Sequence, residues 1–163
     1  MTIDELNSLD RSKFVEAVGF VFEHSPWVAE RAFEATPFPS IEALQAAMVA
    51  AVEKAKPEEQ LALLRAHPDL GTRARISSAS EAEQAGAGLN SLTAEEFQRL
   101  QRLNSIYRAR FGFPFLFAVT GSSKYDVLQA LEQRVEAPPD VEYREALRQV
   151  YRIAEFRIRE AIE

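Results

Sequence analysis

His67 is the side chain in this sequence best suited to moving a proton near neutral pH. Helical periodicity runs out at Leu64, and a residue preceding proline is biased away from helix, so His67, before Pro68, is expected at or just past a helix C-terminus. The partial negative charge there favours imidazolium by about 0.3–1 kcal/mol, and Asp69 nearby adds to it, which makes a proton donor. The same position also suits a plain cap that bonds a free carbonyl. Further on, Ser80, Glu83 and Gln84 stand at i, i+3 and i+4, so on a helix they share one face. A hydroxyl, a carboxylate and an amide together can orient a small molecule dense in N–H and C=O groups. Ser80 with Glu83, and Ser78 with Glu81, equally fit Ser-x-x-Glu capping boxes, so the spacing leaves both readings open.

Other polar residues are less suggestive. His24 precedes Ser25-Pro26 at a helix end and reads as a cap or surface residue. Arg157 lies at the edge of an apolar stripe, where it either snorkels to solvent or points its guanidinium into a cleft to clamp a carboxylate or carbonyl. Arg108 and Arg110 read as a charged helix face. Gly86 and Gly88 lack the preceding strand and following GKS or GKT of a phosphate loop, and Ala87-Gly88-Leu89 reads as a helix C-cap. The absence of cysteine excludes disulfides, thiolate zinc, iron–sulfur clusters and a cysteine nucleophile. With no HxxxH or HExxH pair, no metal site is expected. Nineteen basic against 25 acidic residues, a net charge of −6, argues against a nucleic-acid surface. The acidic amino terminus is unlike a signal peptide and no run approaches a membrane span, so a cytoplasmic location without membrane association is expected.

These residues must be carried by helices. The 163 residues are near the size of one domain, and 47% hydrophobic content supplies a core. Asp10 is a candidate N-cap for a helix with Phe14, Val18, Val21 and Phe22 on one face, and Ser25-Pro26 repeats the signal. After the break around Pro37 and Pro39, Ser40 opens a segment with Ile41, Leu44, Met48 and Val52 inward, and Pro57 starts another. Thr93 and Glu96 form a capping box for a helix through Tyr107, closed by Gly112 and Pro114. The apolar run Phe113 to Gly121 is the single strand candidate. A strand without a partner leaves its backbone groups unpaired, so it is expected to be a buried connector into a helix near 124–135. A last helix after Pro138-Pro139 carries Leu147, Tyr151, Ala154 and Ile158 on one stripe. The expected fold is all-α, one compact domain over residues 1–163 with about seven or eight helices.

HPDLG at His67 to Gly71, SEAEQAGAGL at Ser80 to Leu89 and NSIYRARFGFPFLFAVTG at Asn104 to Gly121 together resemble the 2-oxo-4-hydroxy-4-carboxy-5-ureidoimidazoline (OHCU) decarboxylase family. FEHSPWVAERAF, from Phe22, and the terminal IAEFRI are similar to it as well, so the resemblance spans nearly the whole chain. It implies an all-helical, cofactor-free enzyme of urate breakdown that removes CO2 from OHCU and gives (S)-allantoin. The family's catalytic histidine falls on His67, its adjacent proline on Pro68, its Ser-x-x-Glu-Gln block on Ser80, Glu83 and Gln84, and its C-terminal arginine on Arg157. Backbone groups of Phe115, Leu116, Phe117, Ala118 and Val119 are expected to touch the substrate. The interval from His67 to Ser80 is a few residues shorter than in longer members, which leaves the loop Thr72 to Ser78 open. Glu83 either orients His67 or accepts from ureido N–H groups. The resemblance further suggests a homodimer. Two competing expectations stand beside it: a non-catalytic binding module with a partner groove of Phe113, Phe115 and Phe117, and a decarboxylase of a related ureide.

Overall fold

A computed structural model of the chain describes residues 1–71 and 77–163; positions 72–76, most of the loop left open by the sequence, lie outside the described residues. Among the described residues no strand occurs and there are nine α-helices. It divides into two compact units: residues 1–66 with 151–163, and residues 67–150.

The first unit begins with α1 (Ile3–Asn7), the helix by which the structure exceeds the expected number. Its start was nonetheless written locally, since Thr2 and Glu5 form a complete capping box. Asp10 caps α2 (Arg11–Val18) by accepting from the Lys13 N–H, as expected. The next helix, α3 (Trp27–Ala32), starts one residue later than the proline signal implied. Pro26 occupies the N-cap position, and the Ser25 hydroxyl donates to the Glu23 carbonyl at 2.8 Å. Ser40 caps α4 (Ile41–Glu53), whose Leu44, Met48 and Val52 are fully buried. Each such side chain contributes about 1.5–3 kcal/mol by leaving water. Pro57 opens α5 (Pro57–Arg65). The break after α3 is held by Asn7, whose side-chain amide donates to the Phe38 carbonyl and accepts the Phe38 N–H, both at 2.8 Å. Phe14 packs against the rings of Phe33 and Phe38 beneath it.

The second unit contains α6 (Ser78–Gly86), α7 (Ala94–Phe111) and α8 (Lys124–Arg134); the 23-residue α9 (Pro139–Ala161) gives its first part to this unit and its last part to the other. Thr93 and Glu96 form the expected capping box, and Gly112 ends α7 in the left-handed conformation. The carboxyl of Glu96 is also bonded by Lys124 at 2.7 Å, and this bond, with the Thr93 N–H, holds it below the usual carboxylate range. Residues 113–119 form neither helix nor strand, matching the connector reading. Phe113 and Phe115 are buried against the Tyr107 ring, so they are core residues. An exposed aromatic groove for a partner is therefore excluded for these two rings.

Candidate active site

α5 ends at Arg65 with Ala66 as its C-cap, so His67 follows a helix end as the proline rule requires. It is only 5% exposed. The chain then turns through Pro68, Asp69 and Leu70 to Gly71, where φ is +74°, a conformation that disfavours any residue with a Cβ. Two side chains clamp this turn. The Asn104 amide donates to the Leu70 carbonyl at 3.1 Å, and the Gly71 N–H donates to Gln84 Oε1 at 2.9 Å. The carboxylate of Asp69, expected to support imidazolium, is bound by Arg108 at 3.1 Å. That exposed pair contributes at most about 1 kcal/mol, and it gives Arg108 a definite partner on an otherwise solvated face.

The clamp makes the glycine testable. Gly71→Ala is expected to lower stability by about 1–2 kcal/mol from backbone conformation alone. A Cβ there would also stand 2.5 Å from Leu100 Cδ2, a side-chain end that can shift. A melting temperature equal to that of the parent would show that the turn adapts without strain.

The serine-rich start of α6 resolves differently from either capping box in the sequence reading. Ser77 is the N-cap and accepts the Ser80 N–H, so Ser80 and Glu83 lie within the helix. Ser80 and Gln84 are buried and Glu83 is half-buried, whereas Glu81, Ala82 and Ala85 are exposed. The three candidate side chains thus do share an inward face. The helix closes on Ala87 and left-handed Gly88, with Leu89 N–H on the Gln84 carbonyl at 3.0 Å and Gly88 N–H on the Ala85 carbonyl at 3.1 Å. This is the C-cap expected from Ala87-Gly88-Leu89, and it fixes the end of the helix that presents Gln84.

Phe115, Leu116, Ala118 and Val119 are buried and Phe117 is half-buried. Side chains anchor the backbone of this segment: the Leu116 carbonyl accepts from Arg134 Nη1 at 2.6 Å, and the Ala118 N–H donates to Gln149 Oε1 at 2.9 Å. Neither Arg134 nor Gln149 was singled out by the sequence, nor was Asn104 as a clamp. The available signal was polar residues at buried helical positions.

Arg157 belongs to the other unit. It does not snorkel: it is 2% exposed, donating to the Glu23 carboxylate at 3.0 Å and to the Phe20 carbonyl at 3.1 Å. Glu23, 1% exposed, also lies 3.7 Å from His24 Nε2, and His24 itself is a surface residue in the left-handed conformation at φ +45°. Among the described residues no cluster of His, Cys, Asp and Glu could hold a metal ion, and no helix is long and apolar enough to cross a membrane. An open cleft of about 660 Å³ beside α7 is lined by Asp69, Gly71 and Arg108 but not by His67, Ser80 or Glu83, so it is not the candidate site.

A histidine-bearing turn locked onto a polar helix face, in an all-helical chain without thiols, is the kind of site that acid–base catalysis on a small polar molecule needs. The OHCU decarboxylase family model matches residues 7–159, and the chain belongs to that family. It is 50% identical to 2-oxo-4-hydroxy-4-carboxy-5-ureidoimidazoline decarboxylase of Haloferax volcanii over 160 residues, 98% of this chain and 95% of the relative. Among solved structures, a crystal structure of (S)-allantoin synthase superposes with a TM-score of 0.84 at 35% identity, covering all of this chain and 54% of that one. A crystal structure of OHCU decarboxylase in the presence of (S)-allantoin superposes with a TM-score of 0.69 at 27% identity, covering 82% and 89%.

Proposed function

We propose that this protein catalyses the cofactor-free decarboxylation of OHCU to (S)-allantoin in urate degradation. The observation that carries the reading is the bond from the Gly71 N–H to Gln84 Oε1, which brings the HPDLG turn and the Ser-x-x-Glu-Gln face, separate in sequence, into one structure. The reaction asks little beyond such an arrangement. The carboxylate departs as CO2, its bonding pair is taken up by the adjacent imidazoline system, and one proton is delivered to one face of the ring to set the stereocentre. In this reading His67 delivers that proton, and Glu83 orients His67 or receives ureido N–H groups. Pro68, Ser80 and Gln84 fix the ring and its substituents, with Gln84 using Nε2 because Oε1 is held by Gly71. Backbone groups of Phe115 to Val119 bind substrate, and the buried run around them excludes water, so that loss of the charged carboxylate relieves a desolvation cost. Arg157 supplies positive charge for the anionic substrate. The family match runs through both compact units, which supports treating residues 1–163 as one functional domain. A homodimer and a cytoplasmic location complete the proposal, the first to be checked by light scattering.

The test is a coupled assay in which OHCU, made in situ from urate by urate oxidase and hydroxyisourate hydrolase, is followed by ultraviolet absorbance and circular dichroism. Decay no faster than in buffer would refute the activity. Glu83→Gln separates a site role from a helical one. With Ser77 as the N-cap, Glu83 is not part of the box at the start of α6, and its substitution is expected to lower kcat/KM at least about tenfold. Full activity in this variant would remove Glu83 from the site.

A further inference from the structure

The segment Phe113 to Val119 is buried without belonging to a helix or sheet, so its backbone cannot rely on a regular ladder for its geometry. What holds it comes from two helices of the same unit. Arg134 of α8 donates to the Leu116 carbonyl and lies over the Phe115 ring, 4.5 Å from its centroid. Gln149 of α9 accepts the Ala118 N–H. Each anchor is itself braced. Arg134 Nε donates to Glu142 Oε1 at 2.9 Å, and the Tyr107 hydroxyl donates to the same carboxylate oxygen. Burial, and then that bond to Glu142, push the Tyr107 phenol well above its ordinary value, so it remains a donor throughout the working pH range. Gln149 Nε2 donates to Glu145 Oε1 at 3.2 Å, and Arg148 donates to both oxygens of that carboxylate at 2.7 Å. The amide of Gln149 is thereby fixed with its oxygen toward Ala118.

Glu142 and Gln149 stand seven residues apart, so they share one face of α9, and that face is buried. A buried carboxylate and amide on a helix that could have been apolar there contribute little net stability, because desolvation offsets much of the pairing. Their geometric effect is specific. They fix two peptide groups, Leu116 and Ala118, on either side of half-buried Phe117, within the stretch whose backbone is assigned to the substrate. We propose that Arg134, braced by Glu142 and Tyr107, and Gln149, braced by Glu145, are positioning residues that set the 115–119 backbone for substrate binding. This rests on the reading that the segment's backbone touches the ureide. Such groups bind substrate and transition state alike, so misplacing them raises KM and leaves kcat nearly unchanged.

The experiment measures kcat and KM for Gln149→Met, which keeps the side-chain length and removes the acceptor. Gln149→Met is expected to raise KM about tenfold with kcat little altered, the effect of losing one well-placed hydrogen bond. A merely structural role would lower the melting temperature and the fraction of active enzyme, hence apparent kcat, with KM unmoved. That pattern would overturn the proposal. If Gln149→Met does not fold, Arg134→Lys takes its place: it keeps the charge beside Glu142 but cannot also reach Leu116 with a planar fork, so the same rise in KM is expected, and a parental KM overturns the proposal. Amide shifts of Phe115 to Val119 on adding (S)-allantoin to the parent protein test the underlying reading separately. Unmoved amides refute substrate contact by the segment, and the positioning proposal with it. Amide shifts in the parent, together with a parental KM in the variant, refute positioning alone.

Discussion

His67→Asn is expected to reduce kcat for OHCU decarboxylation by about 10²–10⁴-fold, the usual contribution of a positioned general acid, while the protein keeps its helical circular dichroism and its melting temperature within a few degrees. Asparagine preserves a hydrogen-bonding side chain of similar reach but cannot carry a proton near neutral pH. The turn around it is held by other side chains as well, Asn104 on the Leu70 carbonyl and Gln84 on the Gly71 N–H. Loss of activity can therefore be separated from loss of structure. The coupled assay also reads stereochemistry: uncatalysed decay gives racemic product, so the dichroism of allantoin should vanish along with the rate. A variant that retains both rate and handedness would leave His67 as a helix-end residue and remove the proton donor from the mechanism.

Arg157→Met is expected to have the largest effect on stability, about 3–5 kcal/mol, because it removes the guanidinium from a buried carboxylate. Arg157 and Glu23 are 2% and 1% exposed and 3.0 Å apart, so bulk water does not replace the lost partner. Urea unfolding provides the measurement. The double variant Arg157→Met/Glu23→Leu should recover much of the loss, since an apolar pair of similar volume often replaces a buried ion pair without penalty. Activity then separates two roles. If Arg157 acts only as structure, the stable double variant regains activity; if it also supplies charge to an anionic substrate, it stays impaired with a raised KM. Stability unchanged by the single substitution would show that the pair is not sealed from water.

Local signals in the sequence located most helices because caps act within a few residues. Asp10, Ser40, Pro57 and the Thr93–Glu96 box all start helices where expected. The same kind of signal is ambiguous where it is duplicated and weak where no apolar stripe accompanies it. The run at 77–80 offers serine N-caps in more than one register, and burial of Ser80 and Gln84 selects Ser77. The Thr2–Glu5 box was as clear as the others but lay ahead of any long apolar stripe. Within the candidate site, the shared face of Ser80, Glu83 and Gln84 was legible from helical spacing alone. The use of Gln84 Oε1 to hold Gly71 was not, because nothing in spacing says which end of an amide meets a turn.

What the sequence determined by itself was the helical class, the absence of sulfur chemistry and the motifs that carry family membership, since these depend on residue type and on hydrogen bonds made within a turn or two. What only the tertiary structure decided was which polar groups are buried and what each one holds. Arg157 meets Glu23 across 134 residues of chain, Asn104 meets Leu70 across 34, and Gln149 meets Ala118 across 31. The physical reason is that a buried polar atom must be paired wherever its partner lies, and one-dimensional order does not contain that distance. The two histidines show the difference well: both precede prolines or near-prolines at helix ends, yet folding leaves His24 at the surface and buries His67 in the turn beside Gln84.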